Sequence, residues 1–138
     1  MKLTNWLNNH AFIYWIPVYA SVMIILYFSL LPRPFSSIGI PSGDLLNFNM
    51  LHIVAYFGLS LVMGIAFRHS EIAILKNHSY IWSIFFGTFL GGFVEFAQDF
   101  IPGRYLGFMD LVLTMISVFS AQLARFILKR NKQLDELL

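Results

Sequence analysis

Long apolar runs alternate with short stretches that hold most of the charge, proline and small polar residues. The first run, "AFIYWIPVYASVMIILYFSLL" over 11 to 31, carries no charged residue. It is long enough, as a helix, to cross a hydrocarbon core of about 30 Å. No small-x-small cleavage site follows, and "LLPRPF" comes directly after, so the run reads as a retained helix rather than a signal peptide. Pro17 is placed to kink it. Further runs cover 45 to 67, 80 to 101 and 106 to 128. A Pro- and Gly-containing loop follows the first run, a polar loop around 68 to 79 follows the second, and the tight "PGRY" turn follows the third. The pattern predicts an all-α fold: one membrane domain of four transmembrane helices over residues 1–138.

Composition agrees. Hydrophobic residues make up 58% of the chain and charged residues 12%, against about 25% charged in soluble domains. The absence of cysteine removes disulfides, thiolate ligands and a cysteine nucleophile. A net charge of +2 gives no argument for nucleic acid. The placement of basic residues is more informative. Lys2, Arg68, Lys76, Arg125, Lys129, Arg130 and Lys132 fall on one side of a four-span topology, and Arg33 and Arg104 on the other. The positive-inside rule then predicts cytoplasmic termini. Trp6, Trp15, Tyr80 and Trp82 suit interface anchoring at the same ends. Small residues four apart (Ser60 and Gly64, Gly87 and Gly91, Ser117 and Ala121) let helix backbones approach closely and read as packing positions.

Against this background the segment "EFAQDFIPGRYLGFMD", 95 to 110, is anomalous in its density of polar groups. Glu95, Gln98 and Asp99 share one helix face by their spacing. His52 and Tyr56 share a face of the second span, and Asp110, Thr114 and Ser117 form a stripe on the fourth. The topology brings all of them to one depth near the outer interface. Charge facing lipid is costly, so these faces are expected to meet inside the bundle.

His52 and Glu95 suit either an acid–base pair or a structural hydrogen bond between the second and third spans. Arg104 suits either a phosphate, through its planar fork, or a salt bridge to Asp110, Glu95 or Asp99. A metal site is not expected, because the usual two-histidine spacing is absent. His10, His69 and His78 read as solvated flank residues. No phosphate loop, nucleophile elbow or zinc-protease helix is present, and no cofactor is implied.

Three segments in order, "YFSLLPRP", "LHIVAYFGLSLVMG" and "EFAQDFIPGRYLGFMD", resemble the VanZ-like family of small bacterial membrane proteins. The carrying positions are His52 with Tyr56, Glu95 with Gln98, Pro102-Gly103-Arg104, and Asp110. The chain departs from the family pattern at Phe48 and Asn49, where an Asp-Lys pair is common, and at Thr114 and Ser117, where Asn and Gly are common. The missing lysine removes one positive charge from the outer cluster.

The resemblance implies a four-helix protein of the bacterial cytoplasmic membrane. It also implies a link, in some members, to glycopeptide (teicoplanin) resistance and the cell envelope. Two functional readings stand. One is a non-enzymatic protein that binds membrane lipids, a lipid-linked precursor or a membrane-protein partner through His52, Tyr56, Glu95, Gln98, Arg104 and Asp110. The other is a small membrane enzyme acting on a lipid-linked phosphate substrate with His52 and Glu95 in acid–base roles, or an accessory subunit of a membrane complex.

Overall fold

The computed structural model describes residues 11–30, 45–101 and 107–129; for 45–49 the description is of the backbone alone. The described residues contain helices and turns and no strand. A 3-10 turn, Ala11–Tyr14, leads into α1, Trp15–Leu30. Helix α2 is Leu45–Arg68, α3 is Ser79–Gln98 and α4 is Phe108–Leu128. Among the described residues, four segments are long and apolar enough to cross a membrane. At about 1.5 Å per residue, the 20 residues of α3 extend roughly 30 Å.

Three differences from the sequence reading have local causes. Pro17 falls in the first turn of α1 instead of kinking its middle. It has no N–H to give the Ile13 carbonyl, and the chain before it is wound as a 3-10 turn. The third span stops at Gln98, and Asp99 and Phe100 close it with bonds from their N–H groups to Phe96 and Ala97 carbonyls. The connection after α2 is not only loop: Ala73–Asn77 forms a short helix.

Helices α2, α3 and α4 pack on one another, whereas α1 leans on α2 and α3 and makes no contact with α4. The core comprises Tyr56, Leu59, Met63, Ala66 and Phe67 of α2, Val94 of α3 and Val118 of α4, with Val18 and Ile25 from α1. Small residues set the approach. A side chain at Gly87 would press on Val118, and one at Gly91 would collide with the Thr114 side chain. Ser60, Ser117 and Ala121 are buried in the same seams. Most large aromatic and aliphatic residues on the remaining faces, Phe89 and Phe119 among them, point outward. Buried small or polar residues under an apolar exterior fit a bundle whose solvent is lipid.

Candidate functional site

The helices run alternately up and down, so each end of the bundle collects residues from distant parts of the chain. At one end, α1 and α3 finish while α2 and α4 begin. His52, on the second turn of α2, places Nε2 2.6 Å from Thr114 Oγ1 of α4. Its ring tilts against that of Tyr56, with centroids 4.6 Å apart. Tyr56 is 1% exposed, and its hydroxyl has no hydrogen-bond partner among the described residues. Glu95 and Asp110 both lie within electrostatic reach of that hydroxyl.

Glu95, 3% exposed, accepts a bond from the Gly107 N–H to Oε2 at 3.2 Å. Asp110 lies half-buried in the first turn of α4. The reason for glycine at 107 is visible here. A Cβ at that position would stand 2.8 Å from Asp110 Oδ2 and 3.5 Å from Glu95 Oε2. Two carboxylates therefore flank one point beside the backbone that starts α4.

The predicted residues divide accordingly. His52, Tyr56, Glu95 and Asp110 come together, with Thr114 added. The hydrogen bond of His52 runs to the fourth span, where the sequence suggested Glu95 of the third. Gln98 is buried but turned elsewhere: its Nε2 donates to the Ser29 carbonyl of α1 at 3.2 Å. Asp99 does not share the buried face and is exposed. Arg104 lies outside the described residues, as do Arg33, His10 and Trp6.

The other end holds a second polar centre that the sequence reading missed. Arg125 was counted there with the flanking basic residues, yet it is completely buried. Its Nη1 donates to Gln122 Oε1 at 2.8 Å, and Nη2 donates to Ser79 Oγ of α3. The guanidinium carbon sits 4.0 Å above the centre of the Tyr80 ring. Gln122 Nε2 in turn donates to the carbonyl and hydroxyl oxygens of Ser60 on α2, at 2.7 and 2.8 Å. The Ser60 hydroxyl donates to the Val118 carbonyl at 3.3 Å. Gly64 opposes this centre because any side chain there would collide with the guanidinium.

Three neighbouring residues make contacts that the sequence reading did not foresee. Tyr80 is the platform for Arg125, and its hydroxyl is buried. His69 is not a free flank residue. It stacks on Tyr14 at 4.1 Å, and its Nδ1 lies 3.0 Å from the Ile65 carbonyl in the last turn of α2. Trp15 packs edge-on against Phe67 at 5.5 Å.

One signal pointed to this centre. The stripe Asp110, Thr114, Ser117 continues at helical spacing through Ala121 to Arg125, which puts the arginine on the buried face. Among the described residues, no group of three His, Cys, Asp or Glu side chains is arranged for a metal ion. No family model matches the chain, and neither a curated protein nor a solved structure matches it.

Proposed function

We propose that this chain is a VanZ-like, non-enzymatic protein of the bacterial cytoplasmic membrane that binds an envelope lipid or lipid-linked precursor at its His52 end. Tyr56 carries the reading. A hydroxyl buried in a bundle normally finds a partner, and leaving one unpaired costs about 1–3 kcal/mol. Here the unpartnered hydroxyl lies among polar groups from α2, α3 and α4. A bound polar headgroup would complete it.

Bonding within the cluster favours binding over catalysis. His52 is engaged with Thr114, and Glu95 with the Gly107 amide, so the two do not form the direct pair that acid–base chemistry would use. In this reading both termini are cytoplasmic and the His52 end faces outward. With Arg125 assigned to the interior, six flanking basic residues remain on the cytoplasmic side against Arg33 and Arg104 on the other. The link to glycopeptide resistance enters only through the motif resemblance.

Two measurements test this. Reporter fusions at Leu138 and Gly39 are expected on opposite sides of the membrane; the same side for both would end the topology. A photoreactive phospholipid in the purified protein is expected to label peptides around Met50–Tyr56 and Gly107–Thr114. Labelling spread evenly over the outward apolar faces would overturn the lipid site.

A further inference from the structure

Arg125 poses a separate question: what balances its charge? A guanidinium has five N–H groups and stays protonated in proteins. Arg125 is completely buried, and the acceptors it bonds, Gln122 Oε1 and Ser79 Oγ, are both neutral. Its Nε has no hydrogen-bond partner among the described residues. Gln122 is held in place by its own bonds to the Ser60 carbonyl and hydroxyl, so it offers the guanidinium its amide oxygen and nothing more. A charge within electrostatic reach is that of another cation, Arg68. The Tyr80 ring lies over the guanidinium, and the Tyr80 hydroxyl is a second buried group without a partner among the described residues.

The backbone beside Arg125 has the same sign. The guanidinium bonds to Ser79, the first residue of α3. The first amides of a helix lack an intrahelical acceptor and form the positive end of its dipole, and no side chain caps those of α3. N–H donors and positive charge therefore collect at one place, with only neutral acceptors bonded to the guanidinium. Water would satisfy donors but leave a charge unbalanced where solvation is poor; an anion does both. Arg125 is three residues from the end of α4, and Ser79 opens α3. Both lie within roughly 5 Å of their helix ends, the level at which lipid headgroups begin. A planar guanidinium beside a helix N-terminus suits the oxygens of a phosphate. Tyr80 is half-buried, and turning its ring aside uncovers the guanidinium face.

We propose that the Arg125 centre is a receptor for a phosphate group, held at the start of α3 by Arg125, the Tyr80 hydroxyl and the first backbone N–H groups of that helix. The phosphate comes from a lipid headgroup or from solution; the recognition chemistry is the same. The site is at the opposite end of the bundle from His52 and does not rest on the lipid reading there. Its occupant joins α3 to α4 through charge-assisted bonds and completes the bonding that Gln122 and Ser79 begin.

The test uses the delipidated full chain in detergent. Thermal unfolding is followed with inorganic phosphate and with sodium chloride at equal ionic strength. Native mass spectrometry compares retention of phosphatidic acid and of diacylglycerol with identical acyl chains. The expected result is a saturable rise in the unfolding midpoint with phosphate beyond that with chloride, or retention of phosphatidic acid about tenfold above diacylglycerol, as charge-assisted hydrogen bonds provide. Replacing Arg125 also removes the links to Ser79 and Gln122, so the deciding variant keeps the arginine. Gln122→Glu places a carboxylate where the amide oxygen meets the guanidinium, and is expected to abolish the phosphate response by supplying the negative charge from within. Tyr80→Phe, which keeps the ring, is expected to weaken the response several-fold. Lys76→Gln, an exposed cation in the connection after α2, is expected to leave it intact.

Stabilisation by inorganic phosphate identifies the free ion as a ligand; retention of phosphatidic acid with no effect of inorganic phosphate identifies the headgroup. Chloride matching phosphate, with phosphatidic acid retained no better than diacylglycerol, would overturn the receptor and leave water as the completing group. A response that survives in Gln122→Glu would place the phosphate elsewhere on the chain and overturn the assignment, as would its loss in Lys76→Gln.

Discussion

The two ends of the bundle handle buried polarity differently. At the Arg125 end a fully buried cation is held by a side-chain amide, a serine hydroxyl and an aromatic face, in a chain of bonds joining α2, α3 and α4. At the His52 end two carboxylates lie together, and a buried hydroxyl nearby has no partner among the described residues. The first arrangement links three helices and acts as a clamp, although Arg125 Nε and the Tyr80 hydroxyl have no hydrogen-bond partner among the described residues. The second is incomplete in a way that another molecule can complete. Both ends thus hold buried polar atoms without a partner among the described residues, and they differ in charge and access: the Arg125 end buries a cation completely, whereas the His52 end gathers carboxylates around a half-buried Asp110.

That contrast can be broken most directly at Arg125. Replacing it by alanine removes the hub between Ser79 and Gln122 and opens a cavity, at a cost of about 3 kcal/mol or more. Reversible unfolding in mixed micelles should show the loss. Arg125→Lys should recover little of it, because one ammonium does not reproduce a fork aimed at two acceptors. Wild-type stability in Arg125→Ala would mean that the clamp is not one.

Gly64→Ala comes next. The added methyl enters the space of the guanidinium, which can move aside only by giving up its bonds to Gln122 and Ser79. A loss of about 1–3 kcal/mol is expected, and it should shrink when combined with Arg125→Ala, because the obstacle is then gone. Simple additivity in that double-mutant cycle would refute the collision.

Changes at the other end should be smaller in stability. His52→Ala breaks the link to Thr114, and a hydrogen bond between membrane helices contributes about 0.6–2 kcal/mol. Gln98→Ala should cost least, about 0.5 kcal/mol, since it releases only the end of α1 from α3. Proteolysis or hydrogen exchange confined to α1 would read it. A stability loss at His52 as large as that at Arg125 would erase the distinction between the ends.

Much of the fold was legible before any coordinates. Four uncharged or nearly uncharged runs of helical length leave few alternatives in lipid, and small residues four apart marked the seams that α2, α3 and α4 use. The His52 cluster was legible because polar residues in apolar runs are conspicuous. Its wiring was not. The spacing that put Gln98 beside Glu95 holds, yet Gln98 is drawn to Ser29, because α1 offers a terminal carbonyl there. Arg125 escaped notice for a different reason. A basic residue in the last turn of a membrane helix commonly reaches for the interface, and only the continued stripe through Thr114, Ser117 and Ala121 sets it apart.

Helix α1 has a further consequence for assembly. It is fastened near its two ends, by Gln98 to Ser29 at one and by Tyr14 on His69 with Trp15 on Phe67 at the other. Between them it buries only Val18 and Ile25. Helix α1, made before α2, α3 and α4, is therefore the least embedded of the four. It would wait in the bilayer as an independent span until α2, α3 and α4 have formed their shared interior, and then be strapped on from outside. A separately expressed α1 is then expected to dock on the α2–α4 bundle through those few contacts.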